Sequence, residues 1–309
     1  MSVIEANEAD RFFKSFLPPD LEELGRLEQD VYRQLKAPRE AHLQLLGSGQ
    51  FTIAVAHPRE SPRWACKRMP PARKEAADRF KATIERYTDR LEAANVRVVP
   101  TSMHVVAAAT GGYALYLCQP ILPAHTLLPN ILRERKPSEH DVALVRMLEA
   151  VRRATSPTLS IDGQAANWAW VDGEPWNFDI STPMLRRPDL SSELDLGLVV
   201  QPYPGFLRPL LRRWVGPSLI ERMHNPRMNL VDSAAMLIKD KLRNWLPASV
   251  AVINRLVEEA VSVAELEKYY ANEALLWVFG YRMKQLERRL KWLSGKTYQY
   301  LIPAASDWP

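Results

Sequence analysis

The order of hydrophobic patterns along the chain predicts an α+β fold, with short strands first and helices later. Three observations carry this. Up to Leu122, short apolar runs alternate with turn-rich stretches, and one long charged helical segment lies among them. Beyond Pro123 helical spacing dominates. The exception is a pair of apolar runs near 166–171 and 176–180, joined by Asp172-Gly173, a strong hairpin signal.

Each element follows from its residues. Leu21, Leu24, Leu27, Val31 and Leu35 recur at helical spacing, and Pro18-Pro19-Asp20 supplies a start, so a helix is expected over 20–35. Strand-like runs follow at 42–46, 51–56 and 63–69, separated by Gly47-Ser48-Gly49 and by the turn-rich 57–62. A charged helix is expected from Ala72 to about Asn95. Further runs come at 96–99, at 104–109 and, after the Gly111-Gly112 turn, at 113–118. The texture changes at Gln119–Pro123. Three units are therefore expected: a helical extension over 1–37, a strand-rich unit over 38–122 and a helical unit over 123–309.

With 309 residues, 47% hydrophobic and 25% charged, the chain can bury a substantial core. Its start, Met1-Ser-Val-Ile-Glu-Ala-Asn-Glu, has no apolar stretch after a basic one, and no apolar run approaches bilayer-spanning length. A cytoplasmic protein without a membrane span is the expectation. Cys66 and Cys118 each sit alone in an apolar run, which predicts buried thiols rather than a metal or disulfide framework. The six histidines have no ligand spacing. The net charge of +5 suits an anionic ligand such as a nucleotide and does not call for nucleic acid. In 281–292 a basic amphipathic helix carries Leu286 and Leu290, and Leu293 continues that face. Its apolar face is expected to pack on the helical unit, with contact to nucleic acid or an acidic peptide as the other reading.

The residues suited to chemistry begin at Gly47-Ser48-Gly49-Gln50-Phe51. Two glycines between strands allow either a plain hairpin turn or a loop whose N–H groups approach phosphate. Lys67 stands in an apolar strand, where its charge needs a phosphate, a carboxylate or water at a sheet edge. Glu85 lies beside the apolar side of its helix, marked by Ile84, Tyr87 and Leu91, and is either a surface carboxylate or a partner for a cation. Asp162 and Asn167 are five positions apart, and Asp179 follows Asn167 by twelve. A hairpin between Asn167 and Asp179 returns both to one end of the strands. The amide and carboxylate then make an oxygen-rich corner suited to Mg²⁺. Asp162 would stand beside it, able to orient or deprotonate a hydroxyl. Trp168, Trp170 and Trp176 surround the corner as core residues or as aromatic cover for an acceptor.

In this order and spacing, from about Leu45 to Asp179, the chain resembles the protein-kinase-like superfamily, particularly its aminoglycoside and small-molecule phosphotransferase branch. The resemblance implies a two-lobed fold, a small β-rich lobe with one main helix and a larger helical lobe. It also implies ATP and Mg²⁺ as cofactors and a hydroxyl acceptor as partner. Carried onto this sequence, Gly47, Ser48, Gly49 and Phe51 form the phosphate loop. Lys67 holds phosphates and Glu85 pairs with it. Gln119 and Ile121 lie in the hinge that meets adenine. Asp162 is the catalytic aspartate, and Asn167 and Asp179 hold metal. The chain departs from the family pattern at Ser160-Ile161, where a histidine is usual before the catalytic aspartate. It departs again at Ile180-Ser181 after the metal aspartate, and it lacks a third loop glycine. A small-molecule phosphotransferase is the leading expectation. A peptide Ser/Thr kinase and a nucleotide- or partner-binding pseudokinase are the alternatives.

Overall fold

The computed structural model describes residues 13–37, 40, 42–48 and 51–302, without the side chain of Ser48. Helix α1 (Leu21–Lys36) starts at a capping box: the Asp20 carboxylate accepts from Glu23 N at 2.8 Å, and Glu23 accepts from Asp20 N at 3.3 Å. Acidic residues in its first turn and Arg33 and Lys36 in its last complement the helix dipole.

Strands β1 (Gln44–Ser48), β2 (Ile53–His57) and β3 (Trp64–Arg68) follow. After helix α2 (Lys74–Ala93) come β4 (Arg97–Val98), β5 (Ser102–Ala107) and β6 (Tyr113–Pro120). Five of these form one antiparallel sheet in the order β1-β2-β3-β6-β5. Alternation along the strands assigns its two faces. Ile53, Val55, Cys66, Ala114, Tyr116 and Cys118 pack against Leu24, Leu27 and Val31 of α1. Leu115, Leu117 and Met69 pack on the other face with Phe80, Ile84 and Tyr87 of α2. Lys67 and Arg68 are neighbours on β3 and therefore point to opposite faces.

The two cysteines are buried and free, as expected, and they lie directly opposite each other across β3 and β6. The hydrogen bond with Cys66, together with burial, pushes the Cys118 thiol well up. Tight turns take left-handed backbone at Gly111 and Gly112, with φ of 94° and 79°.

The short run at 96–99 behaves differently from the other strands. As β4 it leaves the main sheet and pairs in parallel with β8 (Glu174–Asn177), which pairs with β7 (Trp168–Val171). Asp172 and Gly173 close that hairpin with φ of 52° and 74°, the signature of a type I′ turn. The longer helices of the remaining described chain are α3 (Leu128–Glu134), α4 (Val142–Ala154), α5 (Gly216–Met223), α6 (Pro226–Ala235), α7 (Leu246–Leu256) and α8 (Val263–Leu293). Asn225 caps α6 by accepting from Met228 N at 3.0 Å, and Pro226 opens the helix where no donor is needed. One core cluster runs from Phe51 and Leu117 through Leu148 and Val151 to Val231 and Trp245, so the sheet and the helices share an interior. After α8 the chain returns to the sheet, where Leu301 packs on the α1 side and Thr110 donates to Gln299 at 2.9 Å.

Candidate active site

The site forms where the loop before β7 and the segment after β8 meet the α2 face of the sheet. Asn229 of α6 holds the loop: its amide nitrogen donates to Thr155 Oγ1 at 2.9 Å and to Ser160 Oγ and Ile161 O at 3.0 Å. Ser160 Oγ donates in turn to Met223 O, and Ser160 N donates to Met184 O at 2.9 Å. Tyr87 of α2 reaches across to donate to Ser160 O at 2.9 Å. Gly163 follows Asp162 at a place where a Cβ would lie 2.1 Å from Ser233 Oγ and 2.7 Å from Val151 Cγ2, so the loop sits directly on α4 and α6.

Asp162 accepts from Gln164 N at 3.3 Å, and Gln164 Oε1 accepts from Lys239 Nζ at 2.6 Å. Burial pushes the Asp162 carboxyl up and the charge of Asp179 adds to this, against the opposing Lys239 charge and nearby hydrogen bonds. Asn167 Nδ2 donates to Asp162 O at 3.4 Å, and Phe178 N donates to Asn167 O at 3.0 Å, so the hairpin returns Asn167 and Asp179 to one end. Asp179 Oδ2 pairs with Lys67 Nζ at 2.7 Å. Its other oxygen accepts from Ser181 Oγ at 2.7 Å and Ser181 N at 3.1 Å. Burial raises the Asp179 carboxyl, but Lys67 and Ser181 outweigh that and hold it below the ordinary carboxylate value. Lys67, Asp162, Asn167 and Asp179 thus converge from β3, the loop and both ends of the hairpin.

Other expected site residues stand elsewhere. The predicted Lys67–Glu85 pair does not form: Glu85 pairs with Lys81 on its own helix and is exposed. One helical residue is a turn of about 100°, so burying Ile84 and Tyr87 carries Glu85 out to solvent. Phe51 is buried among Met69, Phe80 and Leu117, packed into the core rather than lying over a ligand. Gly47 lies in β1 opposite Ala54 with no left-handed backbone. Ser48 pairs with Ile53 through its backbone, and Gly49 lies outside the described residues. Gln119, next to last in β6, donates to Phe178 O at 2.9 Å and Thr101 Oγ1 at 2.8 Å, bracing the segment that leads to Asp179. Ile121 lies just past the strand, half-buried.

Sequence reasoning missed Tyr87, Lys239, Asn229 and Asp232. Asp232 of α6 accepts from Tyr269 Oη at 2.9 Å. Burial, then the Asp162 charge, push its carboxyl up to about 7. None of these positions carries a local motif, because each is brought in by a segment distant in sequence. Ser181 had a signal, since a serine two residues after an aspartate readily closes a side-chain turn. Among the described residues no group of three or more His, Cys, Asp or Glu is arranged to hold a metal alone. Asn167 and Asp179 are nonetheless hard oxygen ligands of the kind Mg²⁺ combines with phosphate oxygens.

No curated protein matches the chain. Among solved structures, it is similar at 12% identity and a TM-score of 0.33 to a chain of the Neurospora crassa PAN2 (WD40-CS1) complex with PAN3 (pseudokinase and C-term), over 90% of this chain and 75% of that one. It is also similar to the MAP kinase LmaMPK10 from Leishmania major at 12% identity and a TM-score of 0.29, over 81% and 98% of the two chains. The family described as "Family of unknown function (DUF6206)" matches residues 26–288, and the chain belongs to it.

Proposed function

We propose that this protein is an ATP- and Mg²⁺-dependent phosphotransferase of two-lobed, kinase-like architecture that moves the γ-phosphoryl group to a hydroxyl of a small molecule. The observation that carries the reading is the Lys67–Asp179 ion pair beside Asp162 and Asn167. Asp179 and Asn167 would hold Mg²⁺, which would supply positive charge to neutralise the phosphates. Lys67 turns from Asp179 to the phosphates. Asp162 orients the acceptor hydroxyl and takes its proton as the hydroxyl oxygen bonds to the γ-phosphorus. The bond from that phosphorus to its bridging oxygen breaks and ADP leaves. A raised carboxyl value brings this base nearer to working pH.

Titration calorimetry with ATP and Mg²⁺ tests this. Binding is expected, with loss in Asp179→Asn, and no heat at millimolar nucleotide overturns the reading. A second reading, nucleotide binding without turnover, draws support from α2, where Glu85 faces away from Lys67 and pairs with Lys81. Asp162→Asn separates the two. A phosphotransferase loses nucleotide consumption in this variant while keeping its affinity. A binding module has no consumption to lose.

A further inference from the structure

Helix α8 is built inside out. The residues it buries are Leu266, Glu273, Gly280, Lys284 and Glu287, of which three are charged. Each side of this inward polar stripe is engaged. Glu273 pairs with Arg222 at 2.8 Å, Glu287 pairs with Arg208 at 2.9 Å, and Lys284 lies over the Tyr203 ring. A Cβ at Gly280 would come within 3.3 Å of Tyr203 Oη, so the helix is held closely against the 203–208 segment. These contacts fix its rotation and leave the opposite side facing out. There Leu275, Phe279, Arg282, Leu286, Arg289 and Leu293 follow one another at three- and four-residue spacing. Leu275 is 71% and Leu293 73% exposed. The expected packing of Leu290 and Leu293 on the helical part is therefore corrected: ion pairs from other segments, invisible in the local pattern, turn the charged side inward.

The segment packed against the inward side of α8 also exposes apolar residues of its own. Phe206, Leu210 and Trp214 recur at four-residue spacing and are 69%, 53% and 66% exposed, with Arg212 and Arg213 between them. Trp292 is 77% exposed near the end of α8. Across 274–296 the only acidic residue is Glu287, which is turned inward, against six lysines and arginines, of which Lys284 is also turned inward and Lys291 pairs with Glu287 at 3.7 Å. Among the described residues no helix is long and apolar enough to cross a membrane.

We propose that this face docks on a bilayer surface that carries anionic lipid, with α8 lying along the headgroup boundary. The chemistry fits that partner. Leucine and phenylalanine enter the acyl boundary, and tryptophans sit at headgroup level. Arginines rise along their stems to reach lipid phosphates. A second copy of the chain fits less well, because a symmetric contact would set Arg282 and Arg289 of one copy against those of the other in an apolar setting.

The test is co-sedimentation of the whole chain with vesicles of phosphatidylcholine alone and vesicles in which phosphatidylserine replaces part of it. Binding is expected to the second and to weaken with salt. Phe279→Ser with Leu293→Ser, both at exposed positions, is expected to lower the partition coefficient roughly tenfold or more. Arg282→Gln with Arg289→Gln costs roughly fivefold for each charge. No association with anionic vesicles overturns the proposal, as does equal binding by the wild type and both double variants. Concentration-dependent dimerisation that Phe279→Ser with Leu293→Ser abolishes, without vesicle binding, assigns the face to a second copy and also overturns it.

Discussion

Lys67 and Arg68 are adjacent in sequence and on opposite faces of one sheet, and each meets a carboxylate. Arg68 forms a two-pronged pair with Glu28 of α1, both contacts at 2.8 Å, and Tyr116 donates to the same carboxylate at 2.5 Å. Lys67 meets Asp179 through one contact. The Arg68 and Glu28 side chains are 1% and 2% exposed, against 20% and 25% for Lys67 and Asp179. The first pair is closed and clamps a helix to the sheet. The second retains solvent access and a flexible cation, so an incoming phosphate can compete for it. The same pairing chemistry closes one face and leaves the other partly open to solvent, and burial makes the difference.

The strongest challenge to this contrast is Arg68→Met. It strands the Glu28 charge in the interior and is expected to cost roughly 3–5 kcal/mol of stability, read by urea unfolding. Replacing both partners, Arg68→Met with Glu28→Leu, is expected to recover most of that loss. If the single variant unfolds at the wild-type midpoint, the pair is not the clamp described.

Asp232 sharpens the contrast as a buried carboxyl whose nearest hydrogen-bond partner is neutral. Its folded value of about 7 lies above the ordinary 3.8, so the folded state keeps a proton that the unfolded chain releases. Stability therefore falls as pH rises through that window, and the cost is largest above it. Asp232→Asn keeps an acceptor for Tyr269 and is expected to gain about 2 kcal/mol near pH 8, less than half of that near pH 5 and almost nothing below the ordinary carboxylate value. A thermal-melt difference independent of pH would refute this.

Lys67→Met is expected to change neutral-pH stability by less than about 1 kcal/mol, because the pair is partly screened. Affinity for ATP with Mg²⁺ should fall about tenfold or more, read by calorimetry. The acid limb also moves. Asp179 is held below its ordinary value mainly against burial by Lys67, so its stabilisation is present above the ordinary carboxylate range and disappears as pH falls through the lowered one. Without Lys67, acid unfolding begins at higher pH. The smallest effect is expected for Glu85→Ala, which should leave both unfolding and nucleotide affinity at wild-type values. A loss of affinity there would restore Glu85 as the partner of Lys67.

Much of the fold was legible because it is written locally. Pro18-Pro19-Asp20 marks a helix start, Asp172-Gly173 marks a hairpin, and the apolar run from Tyr113 to Cys118 marks a strand. The meeting of Asn167 with the end of the hairpin was legible for the same reason, since the turn alone dictates it. Glu85 was misread because a residue beside an apolar stripe can rotate either way until the packing of Ile84 and Tyr87 is known. Lys239 and Asp232 reach the loop from the region of α6, and helical spacing gives no hint of what lies across a helix. Helix α8 was misread for the mirror reason. Its charged side finds partners at Arg208 and Arg222, which the 281–292 pattern does not contain.

The absent side chain at Gly163 ties distant positions together. Because a methyl group there would overlap Ser233 Oγ and Val151, neither helix can drift toward the loop, and the loop cannot gain bulk alone. A larger residue at 163 therefore needs room made for it at Ser233 and Val151, so one substitution in the loop is a question put to two helices at once.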